Sequence, residues 1–210
     1  MKWQILLLLL FFGQIHVTAQ DECLSGNCEN GYGKLKCECG YIFEGQFKDG
    51  EKVSGKMIKE NLVYEGDFKN DMAHGKGKIT FADSSWYRGD FAFSQPDGVG
   101  EYHLASGDVY KGEMKAGNFH GEGVRTNAKQ SEYYRGKFVE DEFVSGVHFL
   151  QNQLYEAGSF RDKELHGYGI RQNLADSTTQ IGVFKRGKFK DGQEFEFLLI
   201  DKAGLNKSLD

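Results

Sequence analysis

The sequence predicts an all-β protein, an elongated single-layer antiparallel β-meander of about seven hairpins. Three observations support this fold: glycine alternates with aromatic residues, two short motifs recur every 21–24 residues, and turn-forming residues separate them. The chain has 28 glycines, but its ten Tyr, 17 Phe and two Trp exclude a solvated linker. A period of this length indicates an array of one small structural unit.

The first motif is aromatic-x-Gly-x-aromatic, and its best copy holds Tyr64, Gly66 and Phe68. Side chains alternate along a strand, so these three residues lie on one face, while Glu65 and Asp67 lie on the other. The motif recurs as Phe43-Gly45-Phe47, Tyr87-Gly89-Phe91, Tyr110-Gly112-Met114 and Tyr134-Gly136-Phe138, with reduced copies at Gly158-x-Phe160 and Gly182-x-Phe184. Charges of opposite sign alternate on neighbouring strands of the second face, which adds about 0.2–1 kcal/mol for each cross-strand pair.

The second motif is Gly-x-Gly. It occurs at 31–33, 75–77, 98–100, 121–123 and 167–169, with single-glycine versions at Gly55, Gly146 and Gly192. Each motif has the length of one strand, and turn residues fill the segments KNDMAH and ADSS between them. The one proline, Pro96, falls in the equivalent of the first of these loops.

The glycines are predicted to be structural. A strand glycine costs about 0.5–1 kcal/mol of backbone entropy, so many of them require an offsetting gain. An aromatic ring lying flat on the bare backbone of the neighbouring strand's glycine supplies it, because ring area is buried without a second sheet. The structural glycines are expected to be Gly66, Gly75, Gly77, Gly89, Gly98, Gly100, Gly112, Gly121 and Gly123.

Four regions follow from this pattern. Residues 1–19 resemble a secretory signal peptide, with a positive Lys2, an apolar run and small residues before a cleavage site near Ala19-Gln20. An anchor kept in the membrane is disfavoured, because the apolar run is short. Residues 20–30 are expected to form a cysteine-containing N-terminal cap, 31–192 the repeat array, and 193–210 a closing strand and tail. We therefore expect an exported protein, secreted or periplasmic.

All four cysteines lie within residues 23–39. A strand over Gly31–Cys37 would separate Cys28 from Cys37 by roughly 20 Å, too far for a disulfide. Cys23 and Cys28 are then the natural pair, and Cys37 and Cys39 are left as a possible pair. The same distance disfavours a four-thiolate metal site, so the cysteines are expected to be structural, with a redox-labile Cys37–Cys39 bridge as the alternative.

These motifs resemble the MORN repeat, a unit of about 23 residues. The resemblance covers 31–192, and the best copies are 64–86, 87–109 and 110–133. In the later copies, polar residues stand where the family has apolar ones, namely Arg125, Glu156, Arg171 and Gln180. The family implies an elongated β-meander used for scaffolding, protein–protein contact or phospholipid contact.

Nothing in the sequence indicates an enzyme, a cofactor, a metal ion or a small-molecule substrate. The glycine pairs lack the strand–loop–helix setting of a phosphate-binding loop. His74, His120 and His166 recur at one place in alternate repeats, about 19 Å apart, and cannot share an ion; they are expected to hydrogen-bond within loops. The formal charge of −5, one unit more negative without Lys2, disfavours nucleic acid.

Three functions are compatible with this array. The preferred one is an extracytoplasmic scaffold whose aromatic–glycine face binds a protein partner or a second copy of the chain. The rings expected to carry this contact are Tyr64, Phe68, Tyr87, Phe91, Tyr110 and Tyr134, although covering the glycines could use all of their area. The alternative is a phospholipid-binding surface, which the acidic charge and the lack of a basic cluster disfavour. The third is thiol–disulfide chemistry at Cys37 and Cys39.

Overall fold

The computed structural model describes residues 21–196, which form β-strands joined by turns. The chain divides into two compact units, Met1–Ala105 and Ser106–Asp210. The first unit holds β1 (Glu22–Gly26), β2 (Gly31–Lys36), β3 (Tyr41–Lys48), β4 (Glu51–Lys59), β5 (Leu62–Lys69), β6 (Met72–Thr80), β7 (Trp86–Ala92) and β8 (Gln95–His103). The second holds β9 (Val109–Lys115), β10 (Asn118–Thr126), β11 (Glu132–Val139), β12 (Glu142–Leu150), β13 (Leu154–Arg161), β14 (Glu164–Asn173), β15 (Thr178–Lys185) and β16 (Lys188–Glu196).

Within each unit, every strand pairs antiparallel with the next strand of the chain. Glycine faces glycine from one strand to the next, which sets the register of each pair. The first unit aligns Gly33, Gly45, Gly55, Gly66, Gly77, Gly89 and Gly100, and the second aligns Gly112, Gly123, Gly136, Gly146, Gly158, Gly169, Gly182 and Gly192. The predicted all-β antiparallel meander is confirmed.

The rings of the first motif form a continuous row on one face of the first unit. In each unit, the face that carries the rings of this motif is called the ring face below. Tyr64 contacts Phe68 of its own strand and Phe91 of the next repeat, with ring centroids 5.0 Å apart in both pairs. The ring planes cross at 87° and 81°, so the contacts are edge-to-face. Phe43 extends the row, at 5.2 Å from Phe68. Each such pair adds about 0.5–1.5 kcal/mol beyond the buried area.

The same rings lie on the aligned glycines. A Cβ added to Gly77 would come within 2.5–2.7 Å of the hydroxyl and ring atoms of Tyr64, and one added to Gly66 would lie 2.6 Å from the same hydroxyl. The Tyr64 hydroxyl also donates a hydrogen bond to the carbonyl of Asp67 (2.8 Å). Tyr87 covers Gly89 and Gly100 in the same way, and Tyr110 covers Gly112 and Gly123. Only glycine leaves room for a ring at the level of the backbone.

The first glycine of the Gly-x-Gly motif is needed for a different reason, which is the conformation of the backbone. Gly75 lies where the pairing register between β5 and β6 shifts, and its φ of +69° is in the left-handed region. An Asp67 carboxylate oxygen accepts a hydrogen bond from the backbone N–H of Lys76 (3.2 Å), which satisfies a donor at this irregularity. Asp90 does the same for Val99 (3.0 Å), and Glu113 for Glu122 (3.3 Å).

The turns within the hairpins are tighter than expected. Asn70 and Asp71 connect β5 to β6, and both have positive φ, as a two-residue type I′ turn requires. Phe93 and Ser94 form the equivalent turn between β7 and β8. Pro96 was expected in this loop, but the expectation was wrong, because Pro96 lies in β8 opposite Phe91.

The first and last described strands do not coincide with the region boundaries predicted from the sequence. The cysteine-containing segment contributes a strand, β1, which pairs with β2. The last described strand, β16, starts at Lys188 rather than at residue 193, so Gly192 and Gln193 lie in one strand. The expected signal peptide at 1–19 and the segment 197–210 lie outside the described residues.

We predict that Gly77→Ala lowers the free energy of unfolding by about 1–3 kcal/mol, since the added methyl group overlaps the Tyr64 ring. Tyr64→Ala removes the overlapping ring and, as a single substitution, should lower the free energy of unfolding by about 3–5 kcal/mol. Urea denaturation of both single variants and the double variant measures their coupling. The double variant should lose less than the sum of the two losses, and strict additivity would contradict the ring-on-glycine contact.

Candidate functional site

The six rings expected to bind a partner are placed on the ring face. Five of them are buried, with exposed fractions between 0% and 7%: Tyr64, Phe68, Tyr87, Phe91 and Tyr110. Tyr134 keeps intermediate exposure. Burial raises the pKa of Tyr87 to about 12, so its hydroxyl stays protonated and donates to the Asp90 carbonyl (3.0 Å). The three buried tyrosines cover glycines, and each of the five buried rings packs on a neighbouring ring, so they offer a partner little area.

The accessible side chains of the first unit lie mainly on the opposite face, which is charged. Its central row follows the strand order and alternates in sign over its first five members: Lys34, Glu44, Lys56, Glu65, Lys78, Arg88 and Glu101. Lys34 and Glu44 approach to 3.5 Å. Lys78 and Arg88 face each other with the same sign. Most neighbours therefore pair as the sequence predicted.

The corresponding row of the second unit is largely apolar. From β9 to β16 it reads Lys111, Val124, Arg135, Val147, Ala157, Ile170, Ile181 and Gln193. Four adjacent strands, β12–β15, thus present no charge in this row. Tyr168 and Val183 extend it along the strands and are 71% and 43% exposed. We call Val147, Ala157, Ile170, Ile181, Tyr168 and Val183 the apolar strip.

The ring face of the second unit carries a polar cluster beside its rings. The His148 imidazole lies between two carboxylates, with Nε2 2.9 Å from Glu132 and Nδ1 3.1 Å from Glu156. Arg171 donates two hydrogen bonds to Glu156 (2.8 and 2.6 Å) and one to the carbonyl of Gly187 (2.6 Å). Glu156 and Arg171 are two of the polar residues that the sequence placed at apolar positions.

The geometry sets the charges in this cluster. Both imidazole nitrogens face carboxylate oxygens, so the protonated form of His148 can donate to both carboxylates at once. Burial opposes this charge, but hydrogen bonds to Glu156 and Glu132 outweigh it and raise the pKa of His148 above its ordinary value. Burial also raises the pKa of Glu156, but its bonds with His148 and Arg171 outweigh burial and leave that pKa below the ordinary value. The Tyr134 ring stacks on the imidazole, with centroids 4.3 Å apart.

A basic cluster exists at the β15–β16 turn. Lys185, Arg186, Lys188 and Lys190 line one shallow depression there. The expectation that the chain lacks a basic cluster was wrong, because the run KRGKFK places four cations at and beside one hairpin turn. All four side chains are exposed.

Both expected cysteine pairs lie at disulfide-bonding distance. Cys23–Cys28 joins β1 to the segment before β2, and Cys37–Cys39 lies within the turn between β2 and β3. Cys39 is exposed, whereas Cys37 is 7% exposed.

The recurring histidines lie on three different strands, His74 on β6, His120 on β10 and His166 on β14. The His166 Nδ1 atom accepts a hydrogen bond from the backbone N–H of Arg186 (3.5 Å), and the His120 carbonyl accepts one from Tyr110 (3.1 Å). Residues 21–196 contain no grouping of His, Cys, Asp and Glu side chains suited to a metal ion. No helix able to cross a bilayer occurs in that range.

Comparison with known families agrees with this architecture. The family model for the MORN repeat matches residues 43–61, 64–86, 87–109, 110–132 and 157–172. The chain therefore belongs to the MORN repeat family, whose repeats are generally interaction modules for proteins or membranes. No curated protein matches the chain.

We predict that stability depends on pH through His148. The pKa of His148 is raised in the folded state, so its contribution is complete below the unfolded value of about 6.5 and is lost as pH rises through the folded pKa. Glu156, whose pKa is lowered, contributes above about pH 4.3 and loses its contribution as pH falls through its folded pKa. Urea midpoints measured from pH 5.5 to 8.5 should decline with rising pH.

The matched variants are His148→Gln and His103→Gln. The first removes the titrating group from the cluster and should flatten the decline. The second alters a histidine of the first unit that is about one-third exposed and pairs with Glu101, and should preserve the decline. An unchanged slope in His148→Gln would refute the assignment.

Proposed function

We propose that this protein is an exported scaffold that binds a protein partner through the apolar strip of its second unit. The observation that carries the proposal is the change in the central row. The first unit fills this row with charges, whereas β12–β15 fill it with Val147, Ala157, Ile170 and Ile181. These four side chains are half-buried, and the adjoining Tyr168 and Val183 are exposed. Apolar area left accessible in this way is typical of an interaction site.

The apolar strip, rather than the ring face, is the proposed contact because its side chains are accessible, whereas the rings are already packed. The rings are already in contact with glycines and with one another, so binding through them would require the sheet to give up its own packing. Tyr168 and Val183 are exposed and need no rearrangement. A partner that fits presents an uncharged, apolar protein surface, since a charged one would be desolvated without a counter-ion.

Export is supported by the cysteine pairs and by the sequence of residues 1–19. Two cysteine pairs at bonding distance favour an oxidising compartment. The signal-like residues 1–19 would direct the chain there.

The test is quantitative affinity capture from the protein's native extracellular or periplasmic fraction. Ile170→Asp with Ile181→Asp should reduce capture of the specific partner about tenfold or more, as expected when a charge enters an apolar contact worth at least 1.4 kcal/mol. Val99→Asp is the matched control, because Val99 is a 60% exposed apolar residue of the first unit. Capture that is equal in all variants, with circular dichroism unchanged, would exclude the strip.

Light scattering on the same variants distinguishes a foreign partner from a second copy. A mass that rises with concentration in the wild type and falls to that of a single chain in Ile170→Asp/Ile181→Asp would make the partner another copy. A constant single-chain mass would leave a different protein as the partner.

Contact with anionic lipid is a second candidate, and the β15–β16 turn favours it. Four exposed cations close together attract a negative surface by about 1 kcal/mol each. Flotation with phosphatidylserine vesicles should then show binding that is absent with phosphatidylcholine vesicles and is abolished by Lys188→Glu/Lys190→Glu. Lys56→Glu, a charge reversal in the first unit, is the control. Failure to float with the anionic vesicles would exclude this function.

A further inference from the structure

The turn between β2 and β3 holds the Cys37–Cys39 pair, and its backbone closes without help from sulfur. The Gly40 N–H donates to the Cys37 carbonyl (3.0 Å), and the Cys37 N–H donates to the Tyr41 carbonyl (3.0 Å). Strand pairing begins directly beyond the turn, at Lys36 opposite Ile42. The bridge therefore lies across a turn that backbone hydrogen bonds already hold.

A disulfide at this position adds little to the stability of the fold. Cross-linking stabilises mainly by removing entropy from the unfolded chain, and the effect grows with the length of the enclosed loop. Cys37 and Cys39 are two positions apart, whereas Cys23 and Cys28 are five apart. Cys23–Cys28 also fixes the edge strand β1, which has one strand neighbour in the described chain. The two bridges thus have different roles.

The two sulfurs of the short bridge are placed as thiol exchange requires. Cys39 is exposed, so an incoming thiolate can reach its sulfur. Cys37 is buried, and its sulfur accepts a hydrogen bond from the Cys39 backbone N–H (3.1 Å). A hydrogen bond to a departing thiolate stabilises its negative charge and makes it a better leaving group.

We propose that Cys37–Cys39 is a thiol–disulfide exchange site that oxidises an exposed dithiol of another protein. This activity is additional to scaffolding and does not depend on the apolar strip. It assigns the exposed Cys39 as the attacked sulfur and the buried Cys37 as the leaving group. The substrate class is a pair of cysteine thiols on an accessible segment.

The exchange proceeds in two balanced steps. A substrate thiolate attacks the Cys39 sulfur, a substrate–Cys39 disulfide forms, and the Cys37–Cys39 bond breaks with its electron pair on Cys37. The second substrate thiolate then attacks its own neighbouring sulfur, which forms the substrate disulfide and releases Cys39 as a thiolate. The substrate loses two electrons and the cysteine pair gains them. A low-molecular-weight disulfide, such as oxidised glutathione, regenerates the bridge by the reverse exchange.

The first experiment compares the two bridges in one molecule. The full mature chain is equilibrated in glutathione buffers of increasing reducing strength, alkylated and analysed by peptide mass spectrometry. The Cys37–Cys39 bridge should be half reduced at a ratio of reduced to oxidised glutathione at least tenfold lower than the Cys23–Cys28 bridge. Equal resistance of both bridges, or greater resistance of Cys37–Cys39, would overturn the proposal.

The second experiment tests the assignment of the two sulfurs. Cys37→Ser leaves the exposed Cys39 and should form a mixed disulfide with oxidised glutathione at least tenfold faster than Cys39→Ser, which leaves the buried Cys37. The wild-type chain should oxidise a reduced Cys-x-x-Cys peptide with a stoichiometry of one, and Cys39→Ser should not. Equal trapping rates, or no oxidation of the peptide by the wild type, would refute the site.

A third measurement separates exchange from a structural role. Cys37→Ser/Cys39→Ser should keep the circular dichroism spectrum and the urea midpoint of the wild type, whereas Cys23→Ser/Cys28→Ser should lower the midpoint. Unfolding of the first double variant would mean that the bridge is structural and would end the proposal.

Discussion

The contact on which this structure depends is a tyrosine ring lying against two paired glycines. In the Tyr64 copy, the ring sits at the level of the backbone of Gly66 and Gly77, and the tyrosine hydroxyl bonds to the Asp67 carbonyl. The contact buries aromatic area against backbone, so each unit acquires a packed face without a second sheet. It also fixes the register, because a one-residue slip would put a side chain where the ring must lie.

That contact constrains where a partner can bind. A ring that covers glycines is unavailable to another molecule, which leaves the opposite face as the free surface. The two units use this face differently. The first alternates charges along it, as at Lys34 and Glu44, while the second replaces them with residues such as Ile170 and Ile181. On the ring face the change is the opposite. There the second unit places the charged His148 cluster at some of the positions that rings occupy in the first unit. Such charges tolerate burial because each finds a partner, as His148 does between Glu132 and Glu156.

Much of the fold was predictable from the sequence, since the determining residues are local. Glycines spaced by 21–24 residues gave the strand pairing, and a short strand between Cys28 and Cys37 ruled out pairing between those two. The candidate site was less predictable. Whether the Tyr87 ring is open or covered depends on neighbouring strands, and a motif read along one strand contains no measure of accessibility. The polar cluster was visible as misfits at Glu156 and Arg171, which pair with each other. The other partner of Glu156, His148, lies on the neighbouring strand β12 and was not recognised from the sequence.

The sequence by itself determined the β-meander, the repeat register and the choice of glycine at the paired positions, because each follows from the alternation of side chains along single strands. Tertiary structure alone decided which face is free, how the charges of the second unit neutralise one another, and which residue of the Cys37–Cys39 pair is exposed. These properties arise when strands stack side by side. Burial and electrostatic partnership then depend on residues of other strands, such as Glu156 and Glu132 for His148 and Phe91 for Tyr64, and no local pattern records them.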